Sequence, residues 1–142
     1  DYPSQEEEAA VVTLPRHVGK PLPATITRDQ LLEAQEMVES VPVADHVVQF
    51  VVRLVRATRP GPDAPGMVNE FISWGAGPRA AQNLLVAAKA RALLASEPAP
   101  RVKDVVAMAA PVLKHRLVLN FRAESQRVQE EELIQELVKN VG

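Results

Sequence analysis

Cysteine is absent from the 142 residues. That excludes a disulfide framework, thiol chemistry and a zinc site built on thiolates. Aromatic residues are scarce as well, with one tryptophan, one tyrosine and three phenylalanines. Any core has to be packed mainly from aliphatic side chains and alanine. Charge of one sign is not in excess: the formal net charge is −2, which argues against a generic nucleic-acid binder. No apolar run reaches the ~18 residues of a membrane span, and no signal peptide is visible. The expectation is a cytoplasmic domain with neither nucleic acid nor membrane as partner.

Chemical motifs are missing too. No G-x-x-x-x-G-K-[ST] occurs, because Gly19-Lys20-Pro21 has neither the leading glycine nor the hydroxyl. The chain therefore cannot by itself cradle β- and γ-phosphates or hold Mg²⁺ in the P-loop manner. His17, His46 and His115 stand far apart without H-E-x-x-H spacing, so no metal site is expected. There is no G-x-S-x-G elbow. The runs Glu6–Glu8 and Glu130–Glu132 fall in first helical turns, where capping and solvation explain them better than acid–base work. The chain opens on Asp1 rather than Met and reads as a piece of a longer protein.

What is present is helical. Ser4-Gln5-Glu6-Glu7 is a capping box opening a short helix to about Val12–Leu14. Residues 15–24, with three prolines, form a loop. Thr27-Arg28-Asp29-Gln30 is a second capping box, opening a helix to about Ser40 with Leu31, Leu32, Ala34, Met37 and Val38 toward one face. Val47–Val55 is β-branched enough for a buried strand, but Gln49, Arg53 and Arg56 lie at i, i+4, i+7, and a helix over 45–59 follows. Met67–Trp74 is expected to be extended or irregular. Pro78 to about Ser96 is the longest helix, striped by Ala81, Leu84, Leu85, Ala88 and Ala92. A helix runs from Lys103 to Ala109, and Pro111 starts a new turn to His115. Gln129–Val141 is the last helix, its stripe being Leu133, Ile134, Leu137, Val138 and Val141.

The most informative stretch joins two of these elements: Gly75-Ala76-Gly77-Pro78-Arg79-Ala80. Pro78 suits the first helical position, where no N–H is needed. Arg79 then falls in the first turn, where a cation opposes the helix dipole at about 0.3–1 kcal/mol. That placement suits delivery of an anion. Helix-start N–H groups together with a guanidinium make a phosphate clamp.

This stretch resembles the Gly-Ala-Ser-Pro-Arg-Ala motif of the MoxR family of AAA+ ATPases. Asp1-Tyr2-Pro3-Ser4-Gln5-Glu6-Glu7-Glu8 resembles the family's Tyr-Pro-Ser-x-Glu-Glu-Glu. Val55-Arg56-Ala57-Thr58-Arg59 resembles Leu-Val-Arg-Ala-Thr-Arg, and Val112-Leu113-Lys114-His115-Arg116-Leu117 resembles Val-Leu-Arg-His-Arg-Leu. The four matches run in order through most of residues 1–117. Gly77 departs from the family's serine, removing a hydroxyl from the site.

The resemblance implies an all-α lid of the AAA+ type: a helical bundle of about four main helices, with an N-terminal connecting helix and a C-terminal amphipathic helix. Residues 1–26 would connect to a core outside this chain, 27–117 would form the lid bundle and 118–142 the last helix. It implies that Arg79 is the sensor-2 arginine, acting with that core, and that Gly77, Pro78 and Arg79 face the nucleotide. The cofactor would be ATP, with Mg²⁺ bound by the core. The implied partners are the chain's own AAA+ core, neighbouring subunits in a ring oligomer, and a von Willebrand factor A domain protein. The family's role is chaperone-like maturation of client complexes, and methanol dehydrogenase activation gave it its name.

Plainer readings stand beside these. Arg79 can be a surface arginine covering apolar neighbours with its stem. Arg53, Arg56 and Arg59 read as a solvated basic face before they read as a contact with a neighbouring subunit. His115 reads as a packed or capping histidine, Arg116 as a partner for a carboxylate, and Trp74 as core or hinge packing before an adenine platform. One rival function is a free-standing interaction module, with the alanine-rich helix or helix 129–141 as a groove ligand. Another is a helix-turn-helix DNA binder using 102–116, weakened by the net charge.

Overall fold

The computed structural model describes residues 2–14 and 24–142. The chain groups into two compact units, Asp1–Leu31 and Leu32–Gly142. The expected loop over residues 15–24 lies almost wholly outside the described residues.

In the first unit α1 (Gln5–Thr13) carries the expected capping box: Ser4 Oγ accepts from the Glu7 N–H, and Glu7 answers with an oxygen 2.7 Å from the Ser4 N–H. None of its residues is buried. Helix α2 (Arg28–Ser40) starts in this unit and continues into the second. Thr27 and Gln30 exchange the second reciprocal pair of cap bonds at 2.8 and 3.2 Å. Its apolar residues Leu31, Leu32 and Met37 are exposed.

The core belongs to the second unit. Asp45–Ala57 is helix α3, not a strand. Val47, Phe50, Val51, Leu54 and Val55 point inward, while Gln49, Arg53 and Arg56 form the wet stripe. Helix α5 (Pro78–Leu94) lays Ala80, Leu84, Ala88 and Ala92 against α6 (Val102–Leu113) and α3. Alanine on this stripe lets the backbones approach closely. Helix α8 (Glu130–Val141) buries Leu133, Ile134 and Leu137 between α3 and α6. The apolar faces of α5 and α8 are thus consumed within the bundle and are not free to lie in a partner's groove.

Two expectations are corrected, the first only in part. Of Met67–Trp74, expected to be extended or irregular, Ile72–Trp74 is extended, as strand β1, but the residues before it form a six-residue helix α4 (Gly66–Phe71). Val68 anchors α4 in the core, and Asn69 ties the preceding loop by two 2.9 Å hydrogen bonds to the Gly61 backbone. Six residues, fewer than two turns of helix, are too few to show a period. Strand β1 pairs antiparallel with β2 (Val118–Leu119), and α7 (Phe121–Gln126) follows, capped by the Asn120 side chain. The second correction concerns Pro111, which does not begin a new turn. It sits inside the last turn of α6, and a 3-10 turn, Lys114–Arg116, comes only afterwards. Proline there deprives only the Ala107 carbonyl of an N–H donor. Both residues are exposed, so water can replace the lost bond.

Candidate functional site at the start of helix α5

Helix α3 ends on Thr58, which is fully buried. Its hydroxyl donates to the Val55 carbonyl at 2.7 Å and accepts from the Ala76 N–H at 2.9 Å. Arg59 Nε donates to the Ala76 carbonyl, also at 2.9 Å. Ala76 is itself buried, and a buried peptide must find partners for both polar groups. Here the two residues closing Arg56-Ala57-Thr58-Arg59 supply them, so two motifs far apart in the chain form one structural unit.

Gly75 completes the contact. A Cβ at this position would lie 2.3 Å from the Thr58 carbonyl oxygen, a backbone atom that cannot swing away. Glycine is required by this close approach. Gly77 is different. Its backbone is extended, at φ −88° and ψ 179°, and a Cβ would meet open space. A serine would fit, so the Gly77 departure is a lost cap and not a steric demand.

Gly77 is the N-cap of α5, Pro78 the first helical residue and Arg79 the second. The first turn holds no acidic residue. Arg79 is exposed, and among the described residues it makes no ion pair. Its N–H has no intrahelical carbonyl to reach. An exposed arginine and the helix N-terminus therefore belong to one turn, which Thr58 and Arg59 hold from the end of α3. Among the described residues a Cβ on Gly77 would meet nothing within 4 Å and no carboxylate pairs with Arg79, and a helix start of this kind is favourable for an anion.

The other candidates fall as follows. Arg53 and Arg56 are exposed, as a solvated face requires, but Arg59 is half-buried and clips the Gly75–Gly77 turn. Trp74 is not core packing: it is 74% exposed. His115 is exposed in the 3-10 turn and not packed. Arg116 makes no ion pair among the described residues, and its Nε is buried without a partner, contrary to the expected carboxylate. The residue that sequence reasoning missed is Thr58, whose hydroxyl holds the turn. Nothing in its local sequence marks a threonine for a contact 18 positions away. Asp104 was also missed. It is buried, accepts from the Arg101 N–H at 2.9 Å and faces Arg91 at 3.4 Å, joining the start of α6 to α5.

Residues 64–137 match the AAA lid domain family, a span that includes the turn, Arg79 and everything through most of α8. The chain belongs to that family. The lid is MoxR-like: over 99% of its length the chain is 32% identical to the chaperone MoxR1 of Mycobacterium tuberculosis. It is 28% identical, again over 99%, to the protein YeaC of Bacillus subtilis. A solved structure from Cytophaga hutchinsonii, described only provisionally as an ATPase, superposes over the whole chain with a TM-score of 0.80 at 24% identity, a likeness of fold. The chain spans 38% and 42% of the two relatives and 44% of that structure's chain.

Proposed function

We propose that this chain is the sensor-2 lid of a MoxR-like AAA+ ATPase. An AAA+ core binds ATP and Mg²⁺, and the lid closes over the nucleotide. When closed, Arg79 contacts the γ-phosphate, while Gly77 and Pro78 let the backbone come near. The Thr58–Arg59 clip makes the turn move with α3 as one body, so that the position of Arg79 reports the position of the whole lid. Hydrolysis removes the group that Arg79 holds and releases the lid. Ring assembly with neighbouring subunits, chaperone-like maturation of client complexes, a von Willebrand factor A domain partner and a cytoplasmic setting belong to the same reading and rest on the likeness to the MoxR chaperone.

The observation that carries this reading is an exposed arginine, without an ion-pair partner among the described residues, in the first turn of α5, against the helix dipole, on a turn clipped in place by two side chains. It is tested by comparing the 142-residue chain with the full-length gene product. The full-length protein should carry a P-loop upstream of this region and hydrolyse ATP, while the chain alone should release no phosphate. Turnover by the highly purified chain that scales with its concentration would contradict the reading. So would a gene product without a P-loop.

A further inference from the structure

A cleft of about 480 Å³ opens where the C-terminal ends of α3 and α8 meet the loop that follows α3. That volume is in the range of ligand sites. Arg53, Arg56 and Arg59 line it, and Asp63 is the one carboxylate among its described lining residues. None of the three arginines forms an ion pair among the described residues, with Asp63 or with any other carboxylate. This concentration of positive charge stands in a chain whose formal net charge is −2.

Plain causes account for part of it. A helix C-terminus carries the equivalent of about half a negative charge, so the two helix ends together call for about one cation. Asp63 calls for a second. One arginine is left over. Arg53 and Arg56, at i and i+3 of one helix, also repel each other, so the bundle is not stabilised by holding both there unpaired.

The walls narrow the choice of ligand. Pro60, Ala64, Pro65 and Val141 give the cleft apolar lining. No aromatic side chain lines it among the described residues, so a nucleobase has nothing to stack on. A bare phosphate chain would leave the apolar wall wet. Guanidinium forks match carboxylates in pairs, and arginine is enriched where proteins bind one another. Carboxylates alternating with apolar side chains on an extended segment satisfy both kinds of lining, because successive residues point to opposite sides.

Arg59 connects the cleft to the turn before α5. Its Nε donates to the Ala76 carbonyl at 2.9 Å, which leaves its terminal nitrogens for other partners. It also lines the neighbouring hollows beside Gly75–Gly77 and beside Pro78. A carboxylate seated on Arg59 therefore pulls on the group that holds the Arg79 turn.

We infer that this cleft binds an acidic, partly apolar peptide segment of another protein, and that Arg59 transmits its occupancy to the Arg79 turn. Binding stands independently of the sensor-2 reading, and only its effect on phosphate contact rests on that reading.

The test uses the 142-residue chain and a short fluorescein-labelled peptide that alternates Glu with Leu, read by anisotropy. Binding should saturate and weaken as salt is raised. Replacing Glu by Gln in the peptide should weaken it roughly tenfold or more, the worth of one or two charge-assisted hydrogen bonds. Arg53→Gln with Arg56→Gln should weaken it as much, with the melting temperature unchanged or raised because like charges are separated. Arg28→Gln with Lys103→Gln removes the same charge at exposed positions of α2 and α6 and should leave binding intact. In nuclear magnetic resonance spectra the amides of Ala76 and Gly77, neither of which lines the cleft, should shift on peptide addition.

Equal affinity for the Glu and Gln peptides overturns the inference, as does equal weakening by the two double variants. Inorganic tripolyphosphate that binds more tightly than the peptide, and is lost in the Arg53→Gln, Arg56→Gln variant, makes the ligand a polyphosphate and overturns it too. Self-association of the chain in sedimentation, abolished by the same variant, identifies a second copy as the occupant, with the same consequence. If the peptide binds while Ala76 and Gly77 do not shift, the link through Arg59 falls. If Arg79→Ala leaves turnover of the full-length protein intact while the peptide still binds the chain, the sensor-2 reading falls and the docking site survives.

Discussion

Helices α2 and α3 are both 13 residues long, yet they show what different sequence signals specify. Helix α2 starts on a complete reciprocal cap and buries none of its residues. Helix α3 has no side-chain cap and buries five. A cap satisfies N–H groups that every helix start leaves open, so it marks where a helix begins in any setting. It carries no information about whether the helix enters a core. That depends on the width and bulk of the apolar stripe. Helix α3 presents Val47, Phe50, Val51, Leu54 and Val55 at i, i+3, i+4, i+7 and i+8, while Glu33, Gln35, Glu36 and Glu39 crowd the sequence of α2.

The contrast is most directly broken by truncating an apolar residue in each region. Leu84→Ala, at a fully buried position of α5, should cost about 3–4 kcal/mol in chemical denaturation. Leu32→Ala on α2 should change stability by less than about 0.5 kcal/mol. Equal losses would mean that α2 contributes to the interior after all.

Next in size is Gly75→Ala, whose new methyl would meet the Thr58 carbonyl at 2.3 Å. It should cost about 3 kcal/mol by overpacking. A near-neutral result would show that the turn can lift off α3, and the clip would lose its meaning. Gly77→Ser, two positions on, should do the opposite and stabilise by a few tenths of a kcal/mol through the N-cap hydroxyl, read as a small rise in the denaturation midpoint.

The smallest effect belongs to α1. Hydrogen bonds from the Ser4 backbone and hydroxyl hold the Glu7 carboxyl below its usual range. A carboxyl depressed in the folded state contributes stability above its unfolded pKa and loses it as pH falls through the folded value. Acidification through the lower carboxylate range should therefore fray α1, seen as lower protection factors at the Glu7 and Glu8 amides, while α3 and α5 keep their protection. Glu7→Ala should abolish this pH dependence.

Much of this was legible in the sequence. Capping boxes, polar and apolar stripes and the proline of α5 are local signals, and they located α1, α2, α3, α5 and α8. Elements of two to six residues, namely α4, β1, β2 and α7, have no period to read and exist because Val68, Ile72 and Ala123 find buried places. The turn at 75–77 and the arginine after it were legible as well. What held them was not, because Thr58 and Arg59 act across 18 and 17 positions and look locally like the end of a basic helix. Of the two packing roles expected for Trp74, core or hinge, the core one fails, because alanine and aliphatic residues fill the interior.

One substitution measured in two settings tests the central claim, that Arg79 serves phosphate and not the fold. On the proposed reading, Arg79→Ala should raise the activation free energy of ATP turnover by the full-length protein by about 2–4 kcal/mol, more than it weakens nucleotide binding, because the contact tightens as charge redistributes in the transfer. In the 142-residue chain the same substitution should leave the melting temperature unchanged or slightly raised, since a cation is removed from the first turn of α5. Normal turnover combined with a destabilised chain would contradict the account and make Arg79 a structural residue.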